Sequence, residues 1–218
     1  MHKSINNLID IQKEIKLKFQ NKQSFPKIIA VSKTFPKNEI LPLIDHGHIH
    51  FGENKVQEAI DKWSNLKIDF SNIKLHMIGK LQTNKVKYAV KVFDYIHSID
   101  SLKLAKKVSE EQKKVKKNIK IFIQINIGNE DQKGGISVNY ASEFYNECKQ
   151  KLELDVLGIM CIPPNINKTS VYFDQMKNLA KQINVKEISM GMSADYLEAV
   201  SYGASFVRIG SKIFGKRN

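Results

Sequence analysis

The stretch EISMGMSADYLEAVSYGASFVRIGSKIFG (187–215) contains one pattern twice. A short apolar run, EISM (187–190) or FVRI (206–209), leads into a loop with glycine and serine, and a short helical segment follows. Short runs rich in β-branched and aromatic residues, bounded by turn-forming residues, are typical of β-strands. The stretch therefore predicts two successive strand–loop–helix units.

The same alternation extends backward through the chain to about residue 27. Between the apolar runs lie segments whose apolar residues have the spacing of one helix face, such as Val56, Ala59, Ile60 and Trp63. Strands that alternate with helices pair in parallel, since each helix crosses back over the sheet. The eight predicted strands are KIIAV (27–31), HIHF (48–51), LHMI (75–78), YIHSI (95–99), IFIQINI (121–127), VLGIM (156–160), EISM (187–190) and FVRI (206–209).

Eight strand–helix units in 218 residues predict an α/β fold, a (β/α)8 barrel of the TIM type, with residues 1–218 as a single domain. An open, doubly wound sheet is the alternative, because a local pattern does not show whether a sheet closes. No Gly-x-Gly-x-x-Gly stretch follows the first strand, which disfavours the dinucleotide-binding form of that sheet. An extra N-terminal helix is predicted over residues 1–21, with Leu8, Ile11, Ile15 and Phe19 on one face.

The charge of the chain comes almost entirely from lysine. There are 35 Lys and Arg against 22 Asp and Glu, a formal net charge of +13, yet only Arg208 and Arg217 are arginines. Arginine is preferred for bidentate recognition of phosphates and bases, so this excess is a weak sign of nucleic-acid binding. We expect no specific nucleic-acid partner, and a surface that binds polyanions is the alternative.

The sequence also lacks the marks of a membrane or secreted protein. No apolar run is long enough for a membrane span, and the first residues lack the apolar core of a secretion signal. The two cysteines, Cys148 and Cys161, do not have the number or spacing of a disulfide framework or a zinc site. We therefore expect a cytoplasmic protein with reduced thiols and no membrane partner.

Two loops have the composition of a phosphate site. In a (β/α)8 barrel the active site lies at the carboxyl ends of the strands, and the loops after the last two strands often bind phosphate. Here they hold Gly191 and Ser193, then Gly210 and Ser211, each just before a short helix. Glycine lets backbone N–H groups at a helix start approach an anion. Alternatively, the glycines only form turns and the serines only cap helices.

Lys33 lies at the carboxyl end of the first predicted strand, in the sequence IIAVSK (28–33). Its amine would point into the barrel mouth from this position. A partly desolvated lysine loses its proton more readily and becomes a nucleophile toward carbonyl compounds. Because the chain holds many lysines, an ordinary surface lysine is the alternative.

Five stretches, in order along the chain, resemble the pyridoxal phosphate homeostasis proteins, a family similar to the N-terminal barrel of alanine racemase. The resemblance runs from about Pro26 to Arg217. It implies the barrel fold and a site for pyridoxal 5′-phosphate (PLP). The stretches are AVSKT (30–34), HFGENKVQE (50–58), HMIGKLQTNK (76–85), SMGMSAD (189–195) and VRIGSKIFG (207–215).

The resemblance also implies roles for individual residues. In that family the lysine of AVSK holds PLP as an internal aldimine, which implies a covalent aldimine at Lys33. The asparagine of GEN lies beside the cofactor, which implies Asn54. The serine of GMS and the glycine and serine after RI bind the phosphate, which implies Ser193, Gly210 and Ser211.

The arginine of VRIG faces the pyridine nitrogen in that family, which implies Arg208. A guanidinium only donates hydrogen bonds and stays charged, so it favours the unprotonated ring and weakens PLP as an electron sink. Alanine racemase also uses a second base, a tyrosine from a C-terminal domain. This chain ends at Asn218, just after the eighth unit, so we expect neither that domain nor its tyrosine. One departure from the family is Lys80, where many relatives carry histidine.

We therefore predict a PLP-binding protein that buffers or carries PLP and helps regulate intracellular PLP and amino-acid pools, without strong catalysis. The expected partners are PLP and small amino acids, PLP-dependent apoenzymes are further candidates, and the expected state is a monomer. A weak PLP-dependent racemase or lyase is the alternative. It needs an acid or base at the mouth, for which His76, His97 and Lys80 are the candidates. A third alternative is a basic nucleic-acid-binding protein that keeps the fold.

His46, His48 and His50 alternate along the chain and could hold a divalent metal ion. Two of the three are expected to face solvent on a short strand and loop, so we predict no metal site.

Overall fold

The computed structural model describes residues 1–20, 24–130, 132–164 and 168–215. Within these residues, eight parallel strands form a closed barrel, in which β1 pairs with both β2 and β8. This closure confirms the predicted barrel and excludes the open sheet. The strands are β1 (Lys27–Val31), β2 (His50–Glu53), β3 (Lys74–Met77), β4 (Tyr95–Ile99), β5 (Lys120–Ile125), β6 (Asp155–Cys161), β7 (Glu187–Ser189) and β8 (Phe206–Ile209).

Each strand is followed by a helix. Short 3₁₀ turns at Thr83–Lys85 and Val138–Tyr140 precede the helices after β3 and β5. A π-helical turn at Glu147–Lys151 follows the helix after β5. None of the helices in the described part of the chain is both long and apolar enough to cross a membrane. The helices are α1 (Lys3–Lys18), α2 (Lys37–Asp45), α3 (Val56–Asp69), α4 (Val86–Val92), α5 (Leu102–Lys114), α6 (Ala141–Asn146), α7 (Ser170–Gln182), α8 (Tyr196–Ser201) and α9 (Ser211–Phe214).

The second strand begins two residues later than the sequence predicts, at His50 instead of His48. It continues through Gly52 and Glu53, which the sequence pattern assigns to a loop. Gly52 packs against the barrel interior, where a Cβ would lie 2.8 Å from Cγ2 of Ile29. A prediction based on β-branched and aromatic residues misses such a glycine. Glycine occurs here because a neighbouring side chain packs closely against its backbone, and not because it favours strands.

Two apolar layers stabilise the barrel. One fills its interior, and the other lies between the strands and the surrounding helices, where Trp63, Phe144 and Phe173 are fully buried. Strands buried on both faces explain why the apolar runs are nearly continuous. The interior layer consists of Ile29, Tyr95, Phe122, Met160 and Phe206.

The extra helix α1 lies outside the barrel and packs against α2 and α9. Its apolar face buries Leu8, Ile11 and Ile15, as the spacing predicts. The helix ends at Lys18, before the predicted boundary at residue 21, and residue 21 itself lies outside the described residues. Phe19 follows the helix and packs, partly buried, against the same core.

Polar contacts also join α1 to the end of the barrel. The Asn7 side chain donates to the Ile213 carbonyl at 2.8 Å. The Glu14 carboxylate accepts from Lys212 Nζ at 2.8 Å and from the Tyr196 hydroxyl. Lys212 lies in α9, directly after the loop that follows β8. The first and last described helices therefore support each other.

Candidate functional site

Lys33 lies in the turn between β1 and α2, at the carboxyl end of the barrel. Ser32 before it is fully buried, Lys33 is half-buried and Thr34 is exposed. Thr34 has a φ of +68°, an uncommon conformation for a residue other than glycine. Such a conformation persists where surrounding contacts support it.

A buried ion pair beneath this turn supplies part of that support. Glu53 Oε1 accepts hydrogen bonds from Ser32 Oγ at 2.8 Å, from Lys62 Nζ at 3.0 Å and from Trp63 Nε1 at 3.0 Å. Lys62 Nζ also donates to the Ser32 carbonyl at 2.8 Å. Glu53 is fully buried, and Lys62 is only 8% exposed. The residue before Lys33 is thus held through both its hydroxyl and its carbonyl group.

Glu58, one turn before Lys62 on α3, holds the other side of the turn. Its Oε1 accepts from the Thr34 backbone N–H at 2.5 Å and lies 3.0 Å from Lys62 Nζ. Burial opposes ionisation of Glu58, but the hydrogen bonds from Thr34 and Lys62 lower its pKa. At Glu53 burial prevails and raises the pKa, against the attraction of Lys62 and the hydrogen bond from Trp63.

The loops after β7 and β8 meet at the Ser193 hydroxyl. Its oxygen accepts from the backbone N–H groups of Gly210 at 3.3 Å and Lys212 at 3.4 Å. Ser211, between them, begins α9 with an exposed side chain. Two N–H donors from the start of α9 therefore converge on one oxygen atom, as they would on an oxygen of a bound anion.

The backbone brings these loops beside the Lys33 turn. Gly210 lies against β1, and a Cβ at this position would be 3.4 Å from Cβ of Val31, two residues before Lys33. Gly191 has a φ of +87°, and its carbonyl accepts a hydrogen bond from the backbone N–H of Arg208 at 3.0 Å. The left-handed conformation of Gly191 is one that glycine adopts without steric cost.

Arg208 lies inside the barrel, only 4% exposed. Its Nη1 donates to Ser189 Oγ and its Nη2 to the Cys161 carbonyl, both at 2.8 Å. No Asp or Glu side chain of the described residues forms an ion pair with it, and burial lowers its pKa. The guanidinium is therefore held by neutral acceptors in a desolvated position.

Asn54 lies directly after β2, the strand next to β1, on the side of the Lys33 turn away from the β8 loop. Its backbone packs closely against Gly79, where a Cβ would come within 2.4 Å of the Asn54 carbonyl oxygen. Its side of the mouth is a pocket of about 390 Å³, whose lining includes Asn54, Lys80, Asp100 and Lys133. Burial raises the pKa of Asp100, against the attraction of Lys80. The mouth thus combines cations with a carboxyl group that ionises less readily than usual.

His76 and His97 do not lie at the mouth, where the sequence analysis places them as candidate acids or bases. Both are fully buried in the barrel interior. Burial is the main cause that holds the pKa of each imidazole well below its usual value. They are therefore neutral core histidines, and Lys80 is the member of that candidate set that lines the mouth.

The three alternating histidines point to different surroundings. His46 is the exposed C-cap of α2, His48 Nε2 lies 2.9 Å from the His50 carbonyl, and His50 Nδ1 lies 2.9 Å from a nitrogen of His76. The described residues contain no group of three His, Cys, Asp or Glu side chains arranged for a metal ion.

Comparison with known proteins places this chain in a family. A family model described as the N-terminal domain of alanine racemase matches residues 14–218. The pyridoxal phosphate homeostasis protein of Pasteurella multocida (strain Pm70) is 33% identical over 97% of this chain and 97% of its own length. This chain belongs to the pyridoxal phosphate homeostasis protein family. The Haemophilus influenzae member is 34% identical over 97% of this chain and 94% of its own length.

Solved structures agree with the family assignment. PipY of Synechococcus elongatus PCC7942, solved without PLP, superposes with a TM-score of 0.88 at 30% identity, covering 98% of this chain and all of PipY. The PLP-bound structure of PipY has a TM-score of 0.84 at 30% identity, covering 97% of this chain and 100% of PipY. Alanine racemase of Clostridium difficile 630 shares the fold, with a TM-score of 0.72 at 18% identity over 97% of this chain and 57% of the racemase.

The structure of this family member brings most of the predicted site residues to one end of the barrel. Ser193 and Gly210 are in direct contact, and Lys33 follows the strand that Gly210 packs against. Sequence reasoning missed the residues that support the turn: Glu53, Glu58 and Lys62. Glu53 and Glu58 lie in the stretch HFGENKVQE (50–58), which implied a role only for Asn54. The signal for Lys62 is its spacing from Glu58 at i and i+4 on a predicted helix, which is common in surface pairs.

Proposed function

We propose that this chain binds PLP at the carboxyl end of its barrel and serves as a PLP buffer or carrier. The single observation that carries the proposal is the convergence of the Gly210 and Lys212 N–H groups on the Ser193 oxygen. This arrangement suits one oxygen of a phosphate, which would share these donors with Ser193. The names of its relatives, and the PLP-bound structure of PipY, support the choice of PLP among phosphates.

The residues around this point fit the rest of PLP. Arg208 offers N–H donors from a buried position without a carboxylate partner in the described chain, which suits an unprotonated aromatic ring nitrogen and not a pyridinium. Asn54 is the residue proposed to lie beside the ring. Ser193, Gly210 and Ser211 are proposed to hold the phosphate group.

Lys33 is proposed to bind PLP covalently. When bound, PLP supplies an aldehyde that reacts reversibly with primary amines. Lys33 extends from a half-buried turn, and hydrogen bonds of Glu53, Lys62 and Glu58 hold this turn from below. This support limits the positions of the amine relative to the phosphate loops, which favours retention of the cofactor.

Replacing Lys33 by Ala should abolish covalent PLP and leave weaker, non-covalent binding, because the phosphate contacts do not involve the lysine. Borohydride reduction of the PLP-loaded protein, followed by mass mapping, checks the attachment point. The matched control is Lys37→Ala, which removes an exposed lysine at the start of α2 and should retain the covalent label. A reduced label on another lysine of the unmodified protein would contradict the proposal.

The broader role is also a proposal. We infer that residues 1–218 act as a single domain, a monomer in the cytoplasm, that exchanges PLP with small amino acids and with PLP-dependent apoenzymes and has no strong catalytic activity. Incubation of the PLP-loaded protein with L- or D-alanine should change the absorption spectrum. Enantiomer analysis should show racemisation far slower than about 1 s⁻¹, the lower end of ordinary enzyme turnover. Turnover at or above that rate would favour the racemase alternative.

A further inference from the structure

A continuous set of hydrogen bonds crosses the barrel interior from its amino end. His50 Nδ1 on β2 lies 2.9 Å from His76 Nε2 on β3, and His76 Nδ1 lies 2.9 Å from His97 Nε2 on β4. His97 Nδ1 then lies 2.9 Å from Ser189 Oγ on β7. Ser189 Oγ is in turn the acceptor for Arg208 Nη1 at 2.8 Å. Three imidazoles and a hydroxyl group thus connect the half-buried His50 to the buried guanidinium.

Two facts together set the direction of every bond in this set: Arg208 only donates, and the hydroxyl hydrogen of buried Ser189 needs an acceptor. Arginine has only donors, so the Ser189 oxygen accepts from Arg208. The oxygen could accept a second hydrogen bond, but the hydroxyl hydrogen of fully buried Ser189 also needs an acceptor. Its other side-chain partner among the described residues is Nδ1 of His97, so the hydrogen points to that nitrogen, which carries none. A neutral imidazole with a bare Nδ1 is protonated at Nε2.

The same rule passes from ring to ring. His97 donates from Nε2 to Nδ1 of His76, so His76 is also protonated at Nε2. His76 in turn donates to Nδ1 of His50. The three histidines are then neutral Nε2–H tautomers, and each acceptor nitrogen faces the Arg208 end of the chain. Burial, which lowers the pKa of all three rings, agrees with their neutral state.

We propose that Ser189, His97, His76 and His50 form a one-directional hydrogen-bond chain that holds Arg208 in place and stabilises its buried charge where a carboxylate would otherwise be needed. The bond dipoles all point the same way, with their negative ends toward the guanidinium. Hydrogen bonds in such a series polarise one another, and the effect is strongest in a desolvated interior. The Cys161 carbonyl, at 2.8 Å from Nη2, is a second neutral acceptor for the same charge.

Neutral acceptors have a different consequence from a carboxylate. A carboxylate would neutralise Arg208. The hydrogen-bond chain instead fixes the orientation of the guanidinium and leaves its full positive charge in the barrel. The charge then disfavours a proton on any aromatic nitrogen placed against it. Ser189 and the three histidines are thus positioning residues for the ring of PLP, and this last consequence rests on the proposed function.

The tautomers of the histidines test the proposal without any cofactor. Two-bond ¹H–¹⁵N correlation spectra of the PLP-free protein, labelled with ¹⁵N-histidine and recorded at pH 7.5, distinguish Nε2–H from Nδ1–H rings. We expect His50, His76 and His97 as neutral Nε2–H tautomers. A His97 ring protonated at Nδ1 would reverse the chain and overturn the proposal.

Variants of Ser189 test whether the hydrogen-bond chain positions Arg208. Ser189→Ala removes one link, and Ser189→Thr keeps the hydroxyl group. The matched control is Ser98→Ala, since Ser98 on β4 is 2% exposed and its hydroxyl has no hydrogen-bond partner among the described residues. We expect Ser189→Ala to lose the uniform His97 tautomer and to weaken PLP binding about tenfold, the usual effect of one hydrogen bond to a charged group. Ser189→Thr and Ser98→Ala should keep both properties.

The outcomes separate the two proposals. If Ser189→Ala matches Ser98→Ala in both the His97 tautomer and the PLP affinity, the hydrogen-bond chain does not position Arg208 and the inference is wrong. If the wild-type tautomers are as expected but the protein binds no PLP, the proposed function is wrong, while the inferred hydrogen-bond chain is still supported. If Ser189→Ala does not fold, the wild-type tautomers decide, together with the affinity of Ser189→Thr, which should equal that of the wild type.

Discussion

Replacing Lys62 by Met should lower the free energy of unfolding by about 3–5 kcal/mol, the usual cost of removing one partner from a buried ion pair. Methionine keeps most of the side-chain volume but removes the charge and the donors. The carboxylate of Glu53, which is fully buried, would lose its cation, and the Ser32 carbonyl would lose a hydrogen bond. Urea unfolding at pH 7.5, followed by far-UV circular dichroism, measures the difference.

An exposed ion pair supplies the control. Lys113 and Glu153 are in contact at 2.7 Å, but their side chains are 60% and 71% exposed, so Lys113→Met should leave the free energy of unfolding nearly unchanged. Adding Glu53→Gln to Lys62→Met should recover part of the loss, because the amide oxygen still accepts from Ser32 and Trp63 without a buried charge. Equal losses for Lys62→Met and Lys113→Met would show that burial of the Glu53–Lys62 pair has no energetic importance.

Stability should also fall steeply as the pH is lowered from about 6.5 to 5. Burial is the main cause that lowers the pKa of His48 and His50 to about 4, and it holds the pKa of His76 and His97 well below 6.5. In this window the unfolded chain takes up protons at these histidines and the folded barrel does not. The unfolded state therefore gains stability, by up to about 1.4 kcal/mol per pH unit for each histidine.

Urea unfolding at half-unit steps between pH 5 and pH 7 measures this slope. The window lies above the ordinary pKa of carboxyl groups. The exceptions are Glu53 and Asp100, whose pKa burial raises, and proton uptake by these two groups in the folded state reduces the slope. His50→Gln should reduce the slope by about one histidine's share. The matched control is His46→Gln, which replaces an exposed histidine and should leave the slope unchanged. A flat stability profile across the window would mean that the interior histidines take up protons in the folded barrel.

The barrel itself could be predicted from the sequence because its signal is local and repeated. Continuous apolar runs such as IIAV (28–31) alternate with helical spacing, and parallel pairing follows from that alternation. Closure is different, since it depends on Ile29 of β1 pairing with Arg208 of β8, far apart in the chain. The predicted strands and the composition of the loops after them already indicated Lys33 and the Ser193 and Ser211 loops as candidates, and the family motifs implied a role for each residue.

The support beneath the site could not be predicted in the same way. Lys62 is one lysine among many, and its contact with Glu53 joins a helix to the strand before it in a manner that composition does not reveal. His76 and His97 gave a misleading signal. His76 is the second residue of a predicted strand and His97 is the middle residue of the next. Only the three-dimensional register shows that both rings turn into the core and meet at 2.9 Å.

The contacts between α1 and α9 have a consequence for the order in which this protein acquires its shape during synthesis. Asn7 and Glu14 are synthesised before the barrel strands, yet their partners Ile213 and Lys212 are about two hundred residues away. Contacts of such long sequence separation form late, because a long loop must close first. Lys212 also supplies one of the two N–H groups at Ser193. The nascent chain therefore completes the proposed phosphate-binding loop only after the elements before Lys212 have been synthesised.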